Sequence, residues 1–182
     1  YVFFTLLGGI VLLFIIAPFL GVFFNTSGGQ YLETVGDSEV RDSILLTLFA
    51  SMGATLFFAL MAVPLAYILA RRDFPLRELI DGIIDLPVVI PHSAAGIALL
   101  GMLVPFQDST GIRFVGGVPG IMAAMAFVSI PFLVNSARDG FAAVDSKLEK
   151  AALNLGASPA RVFFTVSLPL AWRSVVSGLV LM

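Results

Sequence analysis

Long apolar runs alternate with short polar connections along the whole chain. The runs cover residues 1–24, 43–70, 79–104, 118–137 and 162–182. A helix needs about 20 apolar residues to cross ~30 Å of hydrocarbon. Every run reaches that length, so the pattern predicts an all-α, polytopic membrane protein with at least five transmembrane helices. The first run has no basic start and no small-residue cleavage site, so we expect it to be retained as a span.

The basic residues of the connections predict the orientation. Connections 71–78 and 138–161 together hold seven Lys and Arg residues, whereas connections 25–42 and 105–117 hold two. The positive-inside rule places the more basic connections in the cytoplasm. We therefore expect a multi-pass protein of the cytoplasmic membrane with a cytoplasmic N-terminus.

The fifth run contains Arg173, which leaves nine residues after it. We expect the chain to be part of a longer protein. The alternative is a helix that begins near Ser158, which would put Arg173 near mid-membrane, where a charge costs about 2.5–3.5 kcal/mol unless paired or hydrated. We predict two segments: a helix with an external loop at 1–42, and an incomplete membrane core at 43–182.

The composition excludes several other classes of protein. Apolar residues make up 59% of the chain and charged residues 12%, with a net charge of −2. So little charge excludes an ordinary soluble domain, a disordered chain and a nucleic-acid-binding protein. Without cysteine and with one histidine, we predict no metal site. No phosphate-binding loop is present, so we expect no ATP binding or hydrolysis by this chain and no catalytic residue.

The connection 138–161 is predicted to contain a short amphipathic helix. Asp145 or Ser146 can cap its start, and Glu149 lies in its first turn. Apolar residues then recur at the spacing of one helix face: Leu148, Ala151, Ala152 and Leu155.

Residues 156–159 are predicted to end this helix and start another. Gly156 is suited to a helix C-terminus, followed by Ala157. Ser158 and Pro159 favour the first positions of a new helix. From these residues alone two interpretations stay open. The helix lies on the bilayer or on the protein's own loops, or it offers its small residues to a partner.

The spacing of small residues in this connection resembles a signature of the membrane-spanning permease subunits of ABC importers. That signature is Glu-Ala-Ala-x-x-x-Gly, nine residues, then Ile-x-Leu-Pro. Residues 149–169 read EKAALNLGASPARVFFTVSLP. The spacing is complete, but Lys150 stands at the Glu position and Val166 at the Ile position. The departure at Lys150 removes any salt bridge that a Glu there would make.

The resemblance implies a type I importer permease fold, with a sixth helix outside this chain. It also implies that the connection docks as a coupling helix into a separate ABC ATPase, which binds ATP and Mg²⁺. Further implied partners are an extracytoplasmic substrate-binding protein and a second copy of this chain. The residues assigned to coupling are Asp145, Leu148, Glu149, Lys150, Ala151, Ala152, Leu155, Gly156, Ala157, Ser158 and Pro159.

A second stretch narrows the resemblance to one group of importers. Residues 84–100 read IDLPVVIPHSAAGIALL, which is similar to the third span of oxyanion permeases, most of all the molybdate/tungstate type. The function implied is ATP-driven import of molybdate or tungstate. A sulfate or thiosulfate permease is the nearest alternative. A proton-coupled secondary transporter using Asp85 or His92, and a scaffold without transport, remain further alternatives.

Four residues of the third span are candidates for the translocation path: Pro87, Pro91, His92 and Ser93. Each proline frees a backbone carbonyl and kinks a helix; a bend that only aids packing is the alternative. The imidazole and the hydroxyl can donate to an oxyanion, or to a neighbouring helix instead.

Other charged groups of the spans are expected to have supporting roles. Asp81 and Asp85 are one turn apart near the cytoplasmic end, and we expect them to pair with nearby arginines. We expect Arg173 to extend to the cytoplasmic surface, particularly if the fifth helix begins near Leu168.

Overall fold

The computed structural model describes residues 1–182, which form helices joined by short turns and no strand. The predicted all-α class is confirmed. In chain order the helices are α1 (Val2–Asn25), α2 (Gly28–Gly36), α3 (Ser38–Arg71), α4 (Arg77–Val89), α5 (His92–Thr110), α6 (Val118–Ala143), α7 (Ser146–Asn154) and α8 (Pro159–Leu181).

Most of these helices are long and apolar enough to cross a membrane. α1, α3, α6 and α8 each meet that requirement alone, and α4 with α5 meets it as a pair. The structure thus has 4 helices that are long and apolar enough to span a membrane, or up to 5 such segments if the bent pair is one span. The chain is a multi-pass membrane protein, as its apolar runs predicted.

The predicted third span is not one continuous helix. Its two halves, α4 and α5, meet at 113°. Ile90 lies at the break with φ −74° and ψ 134°, an extended conformation, and Pro91 caps α5. A residue before proline is disfavoured in the helical region, and proline has no N–H to continue the ladder. The single kinked helix predicted over 79–104 was therefore wrong.

The chain divides into two compact units, Tyr1–Leu46 and Thr47–Met182. The first unit holds α1, α2 and the start of α3. α2 lies within the predicted external loop, where no helix was expected. A capping box starts it: Gln30 N–H donates to Ser27 Oγ at 3.4 Å, and Ser27 N–H donates to Gln30 Oε1 at 2.9 Å.

The core of the second unit is formed by α3, α6 and α8. Phe141, Leu69 and Leu133 are fully buried there. Phe141, Tyr67 and Phe163 form an aromatic cluster with ring centroids 5.0 to 5.9 Å apart. Tyr67 meets both phenylalanine rings edge-on, a favoured geometry that fixes the relative rotation of the helices.

Small residues allow α6 and α8 to approach closely. Gly140 lies against Ser174, and Gly178 against Leu133. At the same contact Ser136 Oγ donates a hydrogen bond to the backbone oxygen of Ser174 at 2.7 Å. Helix pairs in membranes depend on such contacts, because lipid tails are as apolar as the side chains they replace.

The last helix starts earlier than the apolar run 162–182 predicted. α8 begins at Pro159 and not at Val162, close to the alternative start near Ser158. Arg173 is exposed and lies about 21 Å along α8 at ~1.5 Å per residue. Leu168 follows the π-helical turn Phe163–Ser167 inside this continuous helix, so the helix does not start there, as the expected extension of Arg173 to the cytoplasmic surface assumed.

Candidate functional site

The start of α7 is fixed by a side-chain cap. Asp145 Oδ1 accepts a hydrogen bond from Lys147 N–H at 2.9 Å. Of the two residues that could cap this helix, Asp145 is the one that does so. The carboxylate satisfies one of the otherwise unpaired N–H groups of the first turn and interacts favourably with the helix dipole.

The end of α7 is fixed by a glycine in the left-handed conformation. Gly156 has φ +86°, and a Cβ there would meet nothing within 4 Å. Its N–H donates to Leu153 O at 2.9 Å, and Ala157 N–H donates to Ala152 O at 3.1 Å. This pair of bonds is a Schellman motif, which confirms the predicted glycine stop.

The next helix restarts almost immediately. Ser158 Oγ accepts a hydrogen bond from Arg161 N–H at 3.3 Å, and Pro159 takes the first helical position. Together with the two ends of α7, this cap makes the connection a defined short helix between α6 and α8. The segment 138–161 comprises the last turns of α6, α7 and the first turn of α8.

The inward face of α7 carries a carboxylate. Glu149 is 7% exposed. Arg71 Nε donates to its Oε1 at 3.0 Å, and Arg71 Nη2 lies 2.9 Å from the same oxygen in a salt bridge. Ser167 Oγ donates to Oε1 at 2.7 Å, and Tyr67 OH donates to Oε2 at 3.3 Å. Arg71 Nη2 also donates to the backbone oxygen of Val144 at 2.9 Å.

Sequence reasoning placed Glu149 among the coupling residues but did not find its partners. Arg71, Ser167 and Tyr67 are 78, 18 and 82 positions away in the chain. No local spacing connects residues so far apart. One feature of the sequence could have drawn attention to this residue. Glu149 directly precedes Lys150, and Lys150 stands at the position where the family signature has Glu.

The outward face of α7 is apolar and basic. Leu148 and Leu155 are 50% and 89% exposed. Lys147, Lys150 and Ala151 are exposed as well. The predicted stripe of apolar residues therefore does not pack on the chain's own loops. An apolar stripe left open on a short capped helix is suited to a protein or membrane contact.

The two basic connections lie at the same end of the second unit. Arg71 ends α3, and its side chain bonds both to Val144, which precedes α7, and to Glu149 within α7. The positive-inside rule places both basic connections on the same side of the membrane, which requires them to lie at the same end of the unit.

Of the two carboxylates of α4, Asp81 pairs with an arginine, as expected, whereas Asp85 bonds to an asparagine. Asp81 forms a salt bridge with Arg138 at 3.0 Å, and Arg77 is 4.0 Å away. Asp85 Oδ1 accepts a hydrogen bond from Asn135 Nδ2 at 2.8 Å. Both contacts join α4 to α6. The two carboxylates are therefore held as helix-to-helix contacts.

The four candidate path residues lie at the break between α4 and α5. Pro87 is buried within α4, and Pro91 caps α5. His92 and Ser93 form the exposed first turn of α5. These two donors were expected near the middle of a continuous span; instead they lie at a helix N-terminus, because Pro91 interrupts the span.

The sequence pattern of the family described as "Binding-protein-dependent transport system inner membrane component" matches residues 62–182. The chain belongs to this family. The match includes α7 and its caps, together with most of the core formed by α6 and α8. Its members are the permease subunits of ABC importers, so the resemblance first seen in the spacing around Gly156 is confirmed.

Individual relatives place this permease in the oxyanion group. The molybdate/tungstate transport system permease protein of Pyrococcus abyssi is 42% identical over 180 residues, 98% of this chain and 70% of the relative. That of Pyrococcus furiosus is 43% identical over 177 residues, 96% and 68%. A probable sulfate transport system permease protein of Chlorokybus atmophyticus is 36% identical over 158 residues, 84% and 55%.

Proposed function

We propose that this ABC permease forms the membrane path of an ATP-driven importer for molybdate or tungstate. The observation that carries the proposal is the outward face of α7. This face is an exposed apolar stripe that no other part of the chain covers, and its small residues have the spacing of the family signature. The substrate follows from the relatives named as molybdate/tungstate permeases, which match nearly the whole chain. Sulfate is the alternative substrate, supported by the more distant sulfate permeases.

Coupling would work through the rigidity of α7. Caps at both ends hold it as a short helix, so a cleft on a separate ATPase can grip it as a unit. Closure of two ATPase subunits on ATP would draw the α7 helices of two permease copies together. The spans joined to α7 would then tilt and open the path to alternate sides. The partner ATPase supplies the site for ATP and Mg²⁺.

The path for the anion is proposed at the break between α4 and α5. His92 and Ser93 are exposed there and can donate hydrogen bonds to an oxyanion. Asp81 and Asp85 are engaged by Arg138 and Asn135, which limits their repulsion of a dianion. An external binding protein would supply affinity, so the path itself needs only weak, transient contacts.

Reconstitution tests the function directly. We expect the permease, with its ATPase and binding protein in proteoliposomes, to take up molybdate or tungstate only when ATP is supplied. A protonophore should leave uptake unchanged, because no proton gradient drives the cycle. Uptake that survives omission of the ATPase and collapses with the protonophore would instead establish a secondary transporter. Competition with sulfate identifies the preferred anion.

The charge of the docking face predicts the chemistry of the cleft. Lys147, Lys150 and Arg161 are exposed, against one exposed carboxylate at Asp145, while Glu149 is turned inward. The rim of the ATPase cleft should therefore be acidic. We expect Lys147→Glu with Lys150→Glu to weaken binding of purified ATPase about tenfold at low salt, and less at high salt.

The matched control for this experiment keeps both charges. Lys147→Arg with Lys150→Arg should bind the ATPase as the unmodified permease does. Tighter binding after the charge reversal would show that the rim is basic, as expected for partners of permeases with Glu at position 150.

A further inference from the structure

Glu149 has an environment that docking does not explain. It belongs to the coupling helix, yet its side chain is buried and points into the permease. A buried carboxylate is unfavourable unless it is paired and its oxygens accept hydrogen bonds. Arg71 supplies the charge, and Ser167 and Tyr67 supply further donors. Each oxygen of the carboxylate therefore has at least one hydrogen-bond donor inside the protein.

The position of Ser167 depends on an irregularity in α8. Residues Phe163–Ser167 form a π-helical turn, which accommodates one extra residue within the helix. Each residue added to a helix rotates the following side chains by about 100°. The π turn thus sets the rotation at which Ser167, with 0% exposure, reaches Glu149 at 2.7 Å. Such turns are frequent at functional sites.

The contacts of Glu149 join three helices at a single carboxylate. Arg71 is the last residue of α3, Glu149 lies in α7, and Ser167 lies in α8. Arg71 extends the connection by its bond to Val144, at the junction of α6 and α7. A displacement of α7 is therefore resisted unless α3 and α8 move with it. The aromatic cluster around Tyr67 continues this contact into the core.

We propose that Glu149 is a positioning residue that links α7 to the spans, so that movement of the docked helix becomes movement of α3 and α8. The proposal rests on the proposed function, since it assigns the step between docking and the opening of the path. Lys150 on the outward face contacts the ATPase; Glu149 on the inward face transmits the displacement. Without this link α7 can follow the ATPase while the spans stay in place.

The test uses Glu149→Gln in the purified complex of permease, ATPase and binding protein. Glutamine keeps the size of the side chain and removes its charge. We expect the number of ATP molecules hydrolysed per anion imported to rise by about fivefold or more, the lower end of coupling between distant sites. The ratio of ATP hydrolysed to anion imported is measured on assembled complex. A lower yield of folded permease in the variant therefore does not change this ratio.

Two further variants make the outcome specific. Ser167→Ala keeps the ion pair and removes one hydrogen bond, and it should raise the same ratio by a smaller factor. Glu33→Gln makes the same substitution at an exposed carboxylate outside the coupling segment, and it should leave the ratio unchanged. If Glu149→Gln does not accumulate in the membrane, Ser167→Ala carries the test.

The outcomes separate the two proposals. An unchanged ratio in Glu149→Gln and Ser167→Ala, with normal coupling in the unmodified complex, overturns the role of Glu149 and leaves the importer assignment standing. An unmodified permease that imports anion without consuming ATP overturns the proposed function itself.

Discussion

Replacing Gly156 with tryptophan is expected to abolish substrate-stimulated ATP hydrolysis while the permease remains in the membrane. The glycine lies at the exposed end of α7, and a Cβ there meets nothing within the chain. The fold therefore has room for the indole, and the internal cost is the left-handed backbone, about 1 kcal/mol. A docked ATPase would meet a large ring where it now approaches bare backbone. ATPase assays and co-purification with the ATPase measure the effect.

Asparagine at the same position is the matched control. It tolerates the left-handed conformation better than other residues and adds little bulk. We expect Gly156→Asn to keep most of the coupled activity, and Gly156→Ala to lose stability without losing docking. Normal coupling in Gly156→Trp would place the end of α7 outside the interface and refute docking through this segment.

Adding a single methyl group at Gly140 is expected to disrupt the packing of α6 on α8. A Cβ there would overlap the side chain of Ser174, with Oγ at 2.8 Å, and would lie 3.4 Å from the backbone oxygen of Ala171. Both neighbours belong to α8. The closest atom is Ser174 Cβ, which is fixed to the backbone of α8 and cannot rotate away. The helices must separate, at a cost of about 1–3 kcal/mol. We expect Gly140→Ala to lower the thermal midpoint in detergent and the yield of folded permease.

Gly82 provides the control, because it also lies within a helix but has open space around it. Glycine is about 1 kcal/mol less favourable than alanine in a helix interior. Gly82→Ala should therefore leave the thermal midpoint unchanged or raise it, opposite in sign to Gly140→Ala. Equal shifts in the two variants would show that α6 and α8 do not approach as closely as the structure has them.

The ends of α7 were predictable because their hydrogen bonds are local. Asp145 caps a residue two positions away, and Gly156 bonds to a carbonyl three positions before it. Such contacts can be predicted from the type of residue at a given distance along the chain from the end of the helix. The start of α8 at Ser158 and Pro159 followed the same rules, although the apolar run alone placed it three residues later.

The break in the third span was only partly predictable. Pro91 and the residue before it predicted an irregularity in the helix, and a kink was expected there. The 113° angle between α4 and α5 depends on contacts outside the break, among them the bonds of Asp81 and Asp85 to α6. These pairs join residues 57 and 50 positions apart. Such pairings are set by packing, which local sequence does not encode.

By itself the sequence determined the apolar spans, the basic connections and the capped helix between Asp145 and Gly156, because each depends on composition or on residues within one or two turns. The tertiary structure decided which face of α7 points outward. An apolar stripe on a short surface helix ordinarily turns inward. Here Arg71 and Ser167 offer Glu149 a charge and a hydroxyl inside the protein, so the carboxylate is buried and the apolar stripe is left for a partner.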